Sequence, residues 1–144
     1  MISVLRFVAA AIVGVIAWFA LATAINLVFR AHLAGYAAAE PGFAFTTAML
    51  VARLTLGVAC SVVAGLVAAW VAARRDRGVY AVSASLLILF VPQHVQLWPR
   101  FPVWYHATFL ASLLVATWLG LPILGTRASA SAHPCRHVPR SFRR

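Results

Sequence analysis

Four apolar stretches, at roughly 5–29, 43–73, 79–98 and 103–124, fill most of this 144-residue chain. About 20 consecutive apolar residues at 1.5 Å each are what crosses the hydrocarbon core of a bilayer. A helix on the surface of a soluble domain needs a polar face, and none of the four stretches offers a continuous one. The expected fold is therefore all-α: one transmembrane domain over residues 1–125, built as a four-helix bundle in the lipid bilayer. Residues 126–144 are expected to form a disordered basic tail.

Charge sets the expected orientation. The chain has twelve arginines, no lysine and two acids, for a formal net charge of +10. In a soluble protein such a surplus would suggest nucleic-acid binding. Here the arginines cluster at helix ends and in the tail, so no nucleic-acid partner is expected. Nine arginines fall on one face: Arg6, Arg74, Arg75, Arg77 and the five from Arg127 onward. Arg30 and Arg100 fall on the other, and Arg53 lies within the second stretch. Positive charge stays on the cytoplasmic side, which predicts N-in and C-in. The four tail arginines beyond Arg127 would each add about 1 kcal/mol of attraction to anionic inner-leaflet lipid.

The first stretch begins after Arg6 and contains Ala22-Thr23-Ala24, an A-x-A pattern that also ends signal peptides. The apolar run continues through Phe29, too long for a signal core, so a retained helix is the expectation and a cleaved leader the alternative. Cys60 in the second stretch reads as a small packing residue. The tail sequence His133-Pro134-Cys135-Arg136-His137 lacks the spacing of a structural zinc site. No metal and no cofactor is expected.

Small residues at steps of four predict close helix packing, because backbones in lipid associate through contact rather than through hydrophobic drive. Gly57, Ser61, Gly65 and Ala69 form one such stripe in the second stretch. Thr108, Ser112, Ala116 and Gly120 form another in the fourth, and Ala10 with Gly14 a shorter one in the first. The partner of each seam is another helix of this chain, a second copy in a homo-oligomer, or another membrane protein. In the third stretch only 13 residues precede Pro92, so a spanning helix has to continue, kinked, through Gln93–Trp98. The alternative is a helix that unravels at the headgroups.

Polar residues reach a common depth near the outer face. Asn26, Arg53, Gln93, His94, Gln96 and His106 are the candidate ligand-binding residues, with His32 and Glu40 in the loop above. An arginine at a helix centre costs about 2.5–3.5 kcal/mol on insertion, so Arg53 either binds something or snorkels to the interface. The chain carries no G-x-S-x-G, H-E-x-x-H, C-x-x-C or phosphate-loop motif, and only one carboxylate on each face. No catalytic residue is assigned and the chain is not expected to be an enzyme.

The hexapeptide Phe101-Pro102-Val103-Trp104-Tyr105-His106 opens the last stretch. It resembles an F-P-x-W-Y-H opening shared by a group of uncharacterised small bacterial four-helix integral membrane proteins. That resemblance implies a bacterial inner-membrane location and no particular activity. The expected function is binding, or help in transporting, a small solute, ion or lipid headgroup through an outward-facing polar pocket. The alternative is a structural or assembly subunit of a membrane complex.

Overall fold

The computed structural model of the chain describes residues 2–72 and 75–130. The described residues form five helices and no strand: α1 (Ile2–His32), α2 (Tyr36–Ala39), α3 (Thr47–Val71), α4 (Arg75–Gln96) and α5 (Val103–Ala130). Three helices are long and apolar enough to cross a membrane: α1, α3 and α4. The apolar segment of α5 with described side chains, Val103–Leu119, is shorter, and the helix itself runs on to Ala130. The tail from 131, with Cys135 and both tail histidines, lies outside the described residues, as does Arg74.

Helix ends follow capping chemistry rather than the limits of the apolar runs. The second run starts at Phe43, but α3 starts at Thr47. Thr46 stays extended, and its hydroxyl accepts the Met49 N–H at 3.3 Å, supplying one of the donors a helix start leaves open. The third run starts at Val79, but α4 starts at Arg75. Asp76 in its first turn is favoured by the positive end of the helix dipole. The same helix continues through Pro92 and stops at Gln96. Arg30 and His32 complete the last turn of α1, and Gly35, at φ +75°, lets the chain reverse into α2.

α3 and α4 form a central pair, with α1 against one side and α5 against the other. Glycines set the approach distances. A Cβ on Gly14 of α1 would come within 2.7 Å of the Val82 side chain on α4. A Cβ on Gly57 of α3 would sit 2.9 Å from the ring of Phe109 on α5. A Cβ on Gly65 would overlap the backbone carbonyl of Thr117. Gly57, Ser61, Gly65 and Ala69 are all buried. On α5, Ala116 is buried, Ser112 is half-buried and Thr108 is exposed, while no side-chain environment is described at Gly120. The α5 face that meets the glycines is Phe109, Leu113 and Thr117, one turn apart and next to the small-residue stripe rather than on it.

Hydroxyls tie the helices internally. Trp18 of α1 donates its indole N–H to Ser61 Oγ on α3 at 3.1 Å, and Ser61 donates to the Gly57 carbonyl. Ser83 of α4 and Thr117 of α5 share a hydrogen bond at 2.6 Å. The outward faces are apolar instead of polar: Leu5, Ile12, Ile16, Leu27, Ile88 and Val115 are all exposed.

Candidate functional site

A cavity of about 630 Å³ opens where the end of α1, the start of α3, the end of α4 and the start of α5 converge. Asn26, Arg30, Glu40, Arg53, Gln93 and His94 supply most of its polar wall, with the hydroxyl side chains of Thr23 and Tyr105 also lining it. Trp18, Phe19, Leu56, Phe90 and Phe109 are among its apolar residues.

One wall is a hydrogen-bonded chain with a fixed direction. Arg53 Nη1 donates to the Tyr36 hydroxyl at 2.7 Å. Tyr36 donates to Asn26 Oδ1 at 2.8 Å, and Asn26 Nδ2 donates to Glu40 Oε1 at 2.8 Å. Arg30 Nε closes the far end on Glu40 Oε2 at 3.1 Å. A guanidinium only donates and a carboxylate only accepts, so the two ends dictate every bond between them. Asn26 has to turn its amide nitrogen to Glu40, which leaves its oxygen for the Tyr36 proton. Asn26 and Arg30 are one turn apart on α1 and share a face, which is why one carboxylate reaches both.

Tyr36 is the keystone and is fully buried, packed against Phe29 and Phe45. Its phenol lies above the ordinary value of 10.0 because burial disfavours the anion; the Arg53 charge pulls the other way without reversing the shift. The phenol is therefore neutral, and it leaves the charge on Arg53 uncompensated. The guanidinium carbon lies 4.7 Å from the centroid of the Phe45 ring, a cation–π contact that favours the cation without neutralising it. Arg53 Nε is buried and has no hydrogen-bond partner among the described residues.

The loop that brings Glu40 into place is a complete Schellman turn. The Phe43 N–H bonds to the Glu40 carbonyl at 3.2 Å and the Ala44 N–H to the Ala39 carbonyl at 3.0 Å. The left-handed position of that turn belongs to Phe43, at φ 55°, rather than to the usual glycine. An L side chain there costs about 1–2 kcal/mol. The Phe43 ring also lines the cavity and stands edge-on to Phe101.

On the α4–α5 side, His94 Nδ1 and His106 Nδ1 meet at 2.7 Å. Both rings are buried. His106 stacks on Trp98 with centroids 4.8 Å apart, and His94 lies over Phe109 at 4.7 Å. One proton fits between the two Nδ1 atoms, so the neutral rings are opposite tautomers. His106 Nε2 is buried without a partner among the described residues. A bare lone pair there is cheaper than an orphaned N–H. That assigns the shared proton to His106 and leaves His94 carrying its own proton on Nε2.

The six expected site residues divide as follows. Arg53, Asn26, Gln93 and His94 line one cavity; His106 stands behind His94; Gln96 is exposed and not part of the wall. Arg53 reaches Asn26 only through Tyr36, and its recorded hydrogen bonds include none to Gln93, His94 or His106. Tyr36 went unassigned in the sequence. Its one signal is a lone aromatic in a run of alanines directly after Gly35. Among the described residues no three His, Cys, Asp or Glu side chains converge as metal ligands. Compared with protein-family models, curated proteins and solved structures, the chain finds no match in any of the three.

Proposed function

We propose that the chain is a multi-pass protein of the bacterial inner membrane. On this reading it is a four-helix bundle with both termini in the cytoplasm, and its cavity binds a small anionic solute or lipid headgroup from the outer side. The observation that carries the binding reading is the charge on Arg53. It borders a cavity, and its recorded side-chain partners, Tyr36 and Tyr105, are phenols rather than carboxylates. Arg30, by contrast, already has Glu40. An anion placed at Arg53 would answer a half-buried charge held away from bulk water. Native mass spectrometry of the gently purified full chain tests this: a retained small anion or anionic lipid, lost in Arg53→Gln, is expected. A bare chain in both, together with no anion binding on titration, defeats the reading.

Membrane insertion is supported by three long apolar helices and their exposed apolar faces. Orientation rests on the arginine bias. Reporter fusions after Thr126 should read cytoplasmic and fusions within 30–40 should read external. A fusion at Asp76 that reads external would overturn the arrangement.

A second reading, a structural or assembly subunit, draws on the same hydrogen-bonded wall. The chain from Arg53 to Arg30 joins α3, α2 and α1 and would serve as interhelical glue without any ligand.

A further inference from the structure

We propose that the ligand of this cavity is an amphiphile with a single negative charge: a carboxylate or phosphodiester head on Arg53 and an apolar body along the aromatic wall. This rests on the anion-binding reading above and narrows it. The first support is charge. The cavity wall holds two guanidiniums and one carboxylate, and Glu40 is committed to Arg30 and Asn26. One positive charge is left over. A dianion would find no second free cation and would face Glu40 across the same space.

The second support is the rest of the wall. Phe19, Leu56, Phe90 and Phe109 offer only hydrocarbon. Trp18 adds no donor, because its indole N–H is already given to Ser61. His94 Nδ1 is likewise occupied by His106, so the polar groups on this side reduce to His94 Nε2–H, the Gln93 amide and the Thr23 and Tyr105 hydroxyls, a minority of a mostly aromatic wall. A small hydrophilic anion would leave that surface uncovered, whereas an acyl or similar body covers it. A volume of about 630 Å³ is in the usual range for sites that enclose an organic ligand rather than an ion. The third support is the head-group geometry. The guanidinium of Arg53 borders the cavity and is a planar fork of donors, the shape that carboxylate and phosphate oxygens fit.

The test uses the full chain in phosphatidylcholine nanodiscs, with radiolabelled decanoate as probe. Saturable binding is expected. Each methylene from butanoate to decanoate should tighten it by about two- to four-fold, the upper figure corresponding to about 0.8 kcal/mol per buried methylene. Decyltrimethylammonium, which enters the bilayer similarly but carries the opposite charge, should not compete. Arg53→Gln should weaken decanoate at least ten-fold, with Arg53→Lys between. Ala22→Trp, which fills the cavity and leaves each polar group in place, should weaken decanoate but not butanoate. Discs containing phosphatidylglycerol then separate the sources: displacement of decanoate supports a lipid ligand, and no displacement supports a free acid. Butanoate binding as tightly as decanoate, in both wild type and Ala22→Trp, would overturn the amphiphile and keep the anion site. Competition by the cation, indifference to Arg53, or no saturable anion binding in wild type would overturn both. The chain-length and head-charge series run on the unmodified protein, so the outcome does not depend on any variant folding.

Discussion

Gly65→Ala should be among the most damaging single-methyl additions in this protein. The new Cβ would clash with the Thr117 backbone carbonyl, and neither backbone can step aside without separating α3 from α5. Overpacking costs about 1–3 kcal/mol where side chains yield and more where they do not. Gly65→Ala is placed at or above about 3 kcal/mol. Gly57→Ala should be milder, since its Cβ meets the edge of the Phe109 side chain rather than backbone. Unfolding by titrated denaturing detergent, followed by circular dichroism, compares the two. Equal stability of Gly65→Ala and wild type would mean that these helices do not approach so closely.

Tyr36→Phe should have the second-largest effect. It keeps the ring between Phe29 and Phe45 but removes the one hydroxyl that links Arg53 to Asn26. Arg53 Nη1 and Asn26 Oδ1 each lose a partner. An orphaned buried polar group costs about 1–3 kcal/mol, so a loss of about 2–4 kcal/mol is expected. Faster hydrogen exchange over 33–46 should accompany it. The sign with pH follows from the raised phenol. A folded value above the unfolded one means that the contribution of Tyr36 is complete below about pH 10. It is lost as pH rises through the folded value. Wild type should show that alkaline loss and Tyr36→Phe should not. A variant as stable as wild type, with unchanged exchange, would show that the hydroxyl is not a structural link.

The long helices were legible because apolar runs are what make them, yet their ends were not. Phe43-Ala44-Phe45 looks like the start of a helix by hydropathy. The hydroxyl of Thr46 overrules it, since a capping bond is a local geometric event that hydropathy does not register. Counting residues from helix ends gives depth, and depth alone placed Arg53, His94 and His106 at one level. It says nothing about which way each side chain turns. Arg53 therefore meets Tyr36, from a loop of no apparent promise, and the two histidines meet each other. The small-residue stripe of α5 shows a related gap. Small side chains were expected to mark the contact, but Thr117 folds its hydroxyl back toward the Leu113 carbonyl and Ser83. That exposes bare backbone to Gly65 while bulkier Phe109 packs alongside.

The two buried hydroxyl links also act as an index. Rows of alanine, valine and leucine look much the same after a slide of one turn, about 5.4 Å, so hydrocarbon packing alone distinguishes poorly between neighbouring alignments. Trp18 finds Ser61, and Ser83 finds Thr117, in one alignment only. Such bonds between membrane helices contribute on average about 0.6 kcal/mol, too little to hold the fold but enough to favour one alignment about three-fold over the next. Sliding α1 by a single turn along α3 would carry Asn26 away from Tyr36 and dismantle the wall around Arg53. The indole of Trp18, two turns below, keeps those groups at a common height.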